Sequence, residues 1–282
     1  LAFTDDALAA VRAIAERLGG LPLALELAAA RVRMLTPRLI LERLGQSLDL
    51  GGGARDLPER QRTLRGAIGW SYELLPDPER RLFGRLGVFA SGWTLESAMA
   101  VADPDQDLGI DVFEGIESLA DKSLIRIEPV ADSDPSADAG PRFGLHPLLR
   151  EFAVERLDEG GERPVVEERF VAECVHIAEG AGKVIRATAG EGAMAVLDRE
   201  ERNLRAALDW SVAHDAPTHG LRIMGATWPW FEARGRLREA LSTVTRLLEH
   251  PSPTDPLVRI AALAAAGGSA YWMRDIAGAR AA

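Results

Sequence analysis

Gly19-Gly20-Leu21-Pro22-Leu23-Ala24-Leu25 stops one helix and starts the next within a single short stretch. Glycine adopts the left-handed conformation that closes a helix C-terminus. Proline suits the first turn of the following helix, where no backbone N–H partner is lost. Upstream, Leu8, Val11, Ile14, Ala15 and Leu18 recur at helical spacing, and Thr4 followed by Asp5 and Asp6 caps that helix. Downstream, the helix led by Pro22 is predicted to run to about Leu35, and Thr36-Pro37 opens a third through Leu44. Gly51-Gly52-Gly53 breaks the pattern, so residues 1–50 are predicted to form a small helical domain.

Residues 51–157 read as a second domain. Helices are predicted over Thr63 to Leu74, from Glu79 to Leu86 after Pro76-Asp77-Pro78, and from Thr94 through Val101. Another covers Val112 to Ala120, with Val112, Phe113, Ile116 and Leu119 inward. The period then changes. Ser123-Leu124-Ile125-Arg126-Ile127-Glu128-Pro129-Val130 alternates like a strand, a loop spans 131–141, and Arg142-Phe143-Gly144-Leu145 is a return strand. Helices followed by a hairpin is the winged-helix order.

From Pro147 onward the chain is helical, with Leu148, Phe152, Val154 and Leu157 packing the first of these helices. Residues 158–282 read as helical repeats. Arg234-Gly235-Arg236-Leu237-Arg238-Glu239-Ala240 echoes Met273-Arg274-Asp275-Ile276-Ala277-Gly278-Ala279 at an offset of 39. The fold class expected is mainly α: a small helical domain, a winged-helix domain with one β-hairpin, and tetratricopeptide-like repeats.

Composition narrows the function. The chain has 282 residues, 47% hydrophobic, and a net charge of -10. It has no apolar run long enough for a membrane span, and its first residues, with Asp5 and Asp6 where a basic region would stand, do not read as a signal peptide. Its one cysteine, Cys174, excludes an intramolecular disulfide and a cysteine-based zinc site. On an apolar helical face it reads as a buried thiol of a cytoplasmic protein. An acidic balance disfavours nucleic acid as a direct partner. Residues 55–150 hold 11 basic and 17 acidic side chains, and the helix that would enter a DNA groove carries Asp111, Glu114, Glu117 and Asp121.

Each motif has a plain structural reading beside a functional one. The turn before Pro22 is adequately explained as punctuation, yet a rigid apolar helix start also offers Pro22 and Leu23 to a flat ligand such as a purine. His146, ahead of Pro147 at a helix start, is either a simple cap or a donor to an anion. Gly180-Ala181-Gly182-Lys183 is not a phosphate loop, since Ile177 and Val184 stand where glycine and Ser/Thr are required. Glu167-Glu168 and Glu200-Glu201 read as solvated charge on polar helix faces. Trp228-Pro229-Trp230-Phe231 reads as packing. Hydrolase signatures are absent.

Taken in order, several stretches resemble the NB-ARC group of STAND signalling ATPases, and among them the large actinobacterial transcriptional regulators with an NTPase core and tetratricopeptide repeats. They are Gly20-Leu21-Pro22-Leu23-Ala24; Leu57-Pro58-Glu59-Arg60-Gln61-Arg62-Thr63-Leu64-Arg65 with Trp70-Ser71-Tyr72-Glu73-Leu74-Leu75; Leu145-His146-Pro147-Leu148-Leu149-Arg150-Glu151-Phe152-Ala153; and Asn203-Leu204-Arg205-Ala206-Ala207-Leu208. The resemblance implies that Pro22, with Gly20, Leu21 and Leu23 around it, lies near the adenine. It implies that His146 contacts the ADP β-phosphate and holds a resting state. Leu145 and Pro147 replace the Met and Asp that flank this histidine in the family. ATP or ADP would be the ligand, with Mg supplied by an NTPase core upstream in the same chain.

The resulting expectation is a non-catalytic part of a nucleotide-dependent regulatory switch, a fragment of a longer regulator. It would close over ADP, take a protein or small-molecule signal on its repeats, and self-associate on activation. The rival expectation is a helical-repeat scaffold with no nucleotide role. A third is direct DNA binding by the winged helix.

Overall fold

The computed structural model describes residues 5–50, 59–128, 140–188, 190–252 and 254–273. Its described residues form a mainly α protein with one two-stranded hairpin, the class read from the sequence. Thr4, the Gly51–Gly53 break, the loop over 131–139 and residues 274–282 lie outside the described residues. By compactness the chain divides into two units, residues 1–87, 102–127 and 143–161, and residues 88–101, 128–142 and 162–282.

The first unit begins with α1 (Asp5–Arg17), α2 (Pro22–Ala30) and α3 (Pro37–Leu50). Gly19 and Gly20 carry φ of 60° and 66°, and their N–H groups bond Glu16 and Ala15 carbonyls at 3.0 Å. Among the described residues a side chain at either would meet nothing within 4 Å, so conformation, not space, requires glycine there. The α2 helix ends earlier than its sequence pattern predicts. A single 3-10 turn, Arg31–Arg33, follows, because the Arg31 side chain turns inward to donate to the Ser71 carbonyl at 2.9 Å and to its hydroxyl. Ser71 lies on α4 (Glu59–Glu73). Ile14, Leu18, Ala24, Ala28, Ile40 and Leu44 share one core with Ala67 and Trp70 of α4.

The same unit holds α5 (Asp77–Leu86), α7 (Val112–Asp121) and α8 (Pro147–Glu159). In α7 the inward residues are Val112, Gly115, Ile116 and Leu119, whereas Phe113 is 51% exposed. This corrects the expected inward set. The buried arc follows the i, i+3, i+4, i+7 stripe, and Gly115 admits Leu82 of α5, whose Cδ2 would stand 2.4 Å from an added Cβ. In α8, Leu149, Phe152, Ala153 and Leu157 are buried while Leu148 is exposed. Gly84 and Gly87 allow α5 to press on this face. The first strand starts later than its alternation from Ser123 predicts, and Pro129 and Val130 lie outside the described residues: β1 (Arg126–Glu128) is exposed throughout and pairs with β2 (Arg142–Gly144). Leu124 and Ile125 are buried before it, in a turn closed by Ser123 at φ 58°.

The second unit contains α6 (Leu95–Ala102) and the helices α9 (Arg163–Thr188), α10 (Glu191–Ala213), α11 (Pro217–Ala233), α12 (Leu237–Leu248) and α13 (Pro256–Trp272). Consecutive helices of α9–α13 pack together, and α11 also packs on both α9 and α13. The starts of α11 and α13 are 39 residues apart, as are their ends, and each opens with proline. Close crossings use glycine: a Cβ on Gly182 would stand 2.4 Å from the Ala226 carbonyl oxygen, and one on Gly225 2.9 Å from the Ala261 Cβ. Trp230 and Phe231 are buried edge to face at 4.8 Å, with the Arg236 guanidinium over both rings.

Candidate functional site

Leu21 caps α2 with extended backbone but makes no side-chain cap bond, and Pro22 occupies the first turn. Pro22 is exposed; Leu23 faces the core. One helical turn beyond Pro22, on the same side of α2, is exposed Glu26.

His146 precedes Pro147 at the mouth of α8 with φ −60° and ψ 143°, and its Nδ1 accepts the Leu148 N–H at 3.3 Å. The ring is therefore a helix cap, and this bond requires the neutral tautomer with the proton on Nε2. Two of the first-turn donors expected to face a ligand are used up or missing: Leu148 is bonded to the ring, and proline has none. The Arg150 N–H bonds the His146 carbonyl at 2.9 Å. What remains at the ring for an anion is the Nε2–H, which has no partner among the described residues.

The surroundings of the ring are electrically asymmetric. Burial holds the His146 pKa below its ordinary value, the Arg126 guanidinium lowers it further, and Glu26 opposes both. Thus β1 supplies a cation and α2 a carboxylate within electrostatic reach of one half-buried imidazole. Sequence reading selected Pro22 and His146 but missed Arg126 and Glu26. Arg126 was visible only as one position of an alternating strand, and nothing local ties a strand residue to a helix cap 20 positions on.

Other candidates resolve into packing. Gly180–Lys183 lies inside α9, where Gly182 serves the close crossing described above. Cys174 is buried, and burial raises its thiol pKa well above the usual range. Glu167 accepts from Arg163 and from the Trp210 indole. Glu200 is a correction: far from being solvated, it is 5% exposed and paired with Arg142. Its partner is distant in sequence, so the Glu-Glu pair looked like an ordinary polar face. Among the described residues no group of three or more His, Cys, Asp or Glu side chains is placed to hold a metal ion. No helix among them is long and apolar enough to cross a membrane.

The chain is 34% identical over 273 residues, 94% of its length, to proteins of Mycobacterium tuberculosis and Mycobacterium bovis that carry the provisional name of HTH-type transcriptional regulators. It is 38% identical over 171 residues, 60% of its length, to a protein of Mycobacterium tuberculosis named only as uncharacterized, of which it covers 42%. The chain spans 30% of the length of the regulators it matches. No family model matches the chain, and no solved structure matches it significantly.

Proposed function

We propose that this chain is the sensing portion of a nucleotide-dependent switch in a transcriptional regulator of the NB-ARC type. ADP is the ligand of the resting state. Its phosphates are held by the His146 Nε2–H with help from Arg126, and its adenine lies near the exposed Pro22 beside Gly20 and Leu21. The residues fit the group: a neutral ring with one free N–H donor, a neighbouring guanidinium and an exposed proline-led helix start are complementary to a diphosphate joined to a flat base. The NTPase core and its Mg lie upstream in the parent protein, and this portion performs no hydrolysis. Its helices α9–α13 act as tetratricopeptide-like repeats that take a protein or small-molecule signal, and activation leads to self-association in the cytoplasm. The switch can move only by the difference in nucleotide affinity between its two states.

The single supporting observation is the use of Nδ1, not Nε2, for the helix cap. In the parent protein, His146→Ala is expected to raise the ADP dissociation rate about tenfold or more and to raise basal transcriptional output, as expected for a lost hydrogen bond to a charged group. Unchanged dissociation and output would overturn the reading.

A helical-repeat scaffold without nucleotide is the rival, favoured by the fact that the ring already has a structural task as the α8 cap. A parent protein that binds no ADP yet retains a partner on residues 162–282 would establish it. Direct DNA contact is disfavoured by α7, whose exposed face carries Phe113, Glu114, Glu117 and Asp121 and repels phosphate.

A further inference from the structure

The Asn203 stretch, which the nucleotide reading leaves unused, lies in a buried polar cluster of the second unit. The Asn203 Oδ1 accepts the Ser91 N–H at 3.0 Å, and its Nδ2 donates to the Gly92 carbonyl at 3.0 Å and to Glu200 at 2.6 Å. Arg142, the first residue of β2, donates to the other Glu200 oxygen and to the same Gly92 carbonyl. Arg142, Glu200 and Asn203 are 7%, 5% and 1% exposed. Around them, the Phe89 ring stacks on Trp93 at 5.2 Å and meets Phe170 of α9 edge-on at 5.5 Å, and the Ser97 hydroxyl donates to Glu173 of α9 at 2.8 Å.

We infer that Glu200, Asn203 and Arg142 form a cooperative latch that fastens the α5–α6 connection at Ser91-Gly92 and the start of β2 to α10. Each member satisfies the others. Withdrawing one leaves a buried charge or a buried amide without a partner, which is far more costly than never forming the pair. Such a cluster is therefore held complete or released complete. Asn203 holds this connection by its backbone alone, through the Ser91 N–H and the Gly92 carbonyl. A shift of α10 is carried to Ser91-Gly92 and to Arg142 through this latch. The latch requires no nucleotide, so it stands or falls apart from the ADP reading.

The test is amide hydrogen exchange on the 282-residue chain, comparing wild type with Asn203→Ala and Glu200→Gln, and with the double variant Arg142→Met/Glu200→Met. Loss of protection of at least tenfold at Ser91 and across 88–93 and 142–144, with α9 and α11 still protected, is expected in both single variants. The double variant, which removes both charges together, is expected to regain protection at 142–144. Unchanged exchange at Ser91 would overturn the latch. So would a uniform loss across α9–α11 in both single variants, since that would mark Asn203 and Glu200 as ordinary core residues. If Asn203→Ala fails to fold, Glu200→Gln alone decides, because it keeps the volume and removes only the charge.

Discussion

Gly182 lies directly against the carbonyl of Ala226, so that a methyl group on the glycine would come within 2.4 Å of that oxygen. Gly180, two positions earlier on the same helix, has nothing among the described residues within 4 Å of the place where its Cβ would be. Gly182→Ala is therefore expected to destabilise the protein by about 1–3 kcal/mol through overpacking. Gly180→Ala should stabilise by up to about 1 kcal/mol through helix propensity. Urea denaturation of the two variants checks both signs.

Acid should weaken the fold through two histidines. The pKa of His146 is lowered by burial and by Arg126, and that of His219 by burial and by Arg222. A histidine whose folded pKa lies below its unfolded value gives its full stability above the ordinary value of 6.5, and loses it as pH falls toward the folded pKa. Protonation of Nδ1 would also remove the acceptor that caps α8. Melting temperature is expected to fall as pH drops below about 6.5, the ordinary histidine value. His146→Asn keeps a good cap without the titration and should show a smaller fall. An equal fall would assign the pH response elsewhere.

Arg31 is a buried cation whose recorded hydrogen bonds run to Ser71 and not to a carboxylate, and desolvation lowers its pKa despite Glu79. Its Nε has no hydrogen-bond partner among the described residues. Ser71→Ala takes away one acceptor and is expected to cost about 1–3 kcal/mol. Arg31→Met removes the buried charge along with its need for partners and should cost less than Arg31→Ala, which also opens a cavity. The order of the three denaturation midpoints tests the account.

The left-handed backbone at Gly20 gives a cleaner measurement, because no packing changes there. Gly20→Ala should cost about 1–2 kcal/mol from the positive φ alone. Gly20→Asn should cost less, since asparagine tolerates that conformation. If the two variants are equally destabilised, conformation is not the reason for the glycine.

Local signals in the chain are read correctly where the physics is local. The glycine pair and Pro22 marked a helix boundary that stands in the structure, and the change of period after Ala120 placed the hairpin, although β1 begins at Arg126 and not at Ser123. Mainly α architecture follows from those elements together. Failures come where tertiary contacts decide. Phe113 was placed inward with Val112, Ile116 and Leu119, but the packed stripe of α7 takes Gly115 instead, where Leu82 fits against it. Arg31 appeared to continue α2 until Ser71, 40 residues on, drew it inward. Glu200 looked solvated for want of Arg142, 58 residues before it. At the candidate site, His146 stood out by its place before Pro147, whereas Arg126 depends on hairpin register and Glu26 on how α2 rolls over the core.

Pro217 and Pro256 open helices of identical span at a separation of 39 residues. Within either helix, one inserted residue turns everything after it about the helix axis by roughly 100°. Inserted near the start of α13, it would carry Ala262, Ala265 and Ala266 off the packed face and into water. Changes of length are therefore borne in the connections ahead of Pro217 and Pro256 and not inside the helices they open.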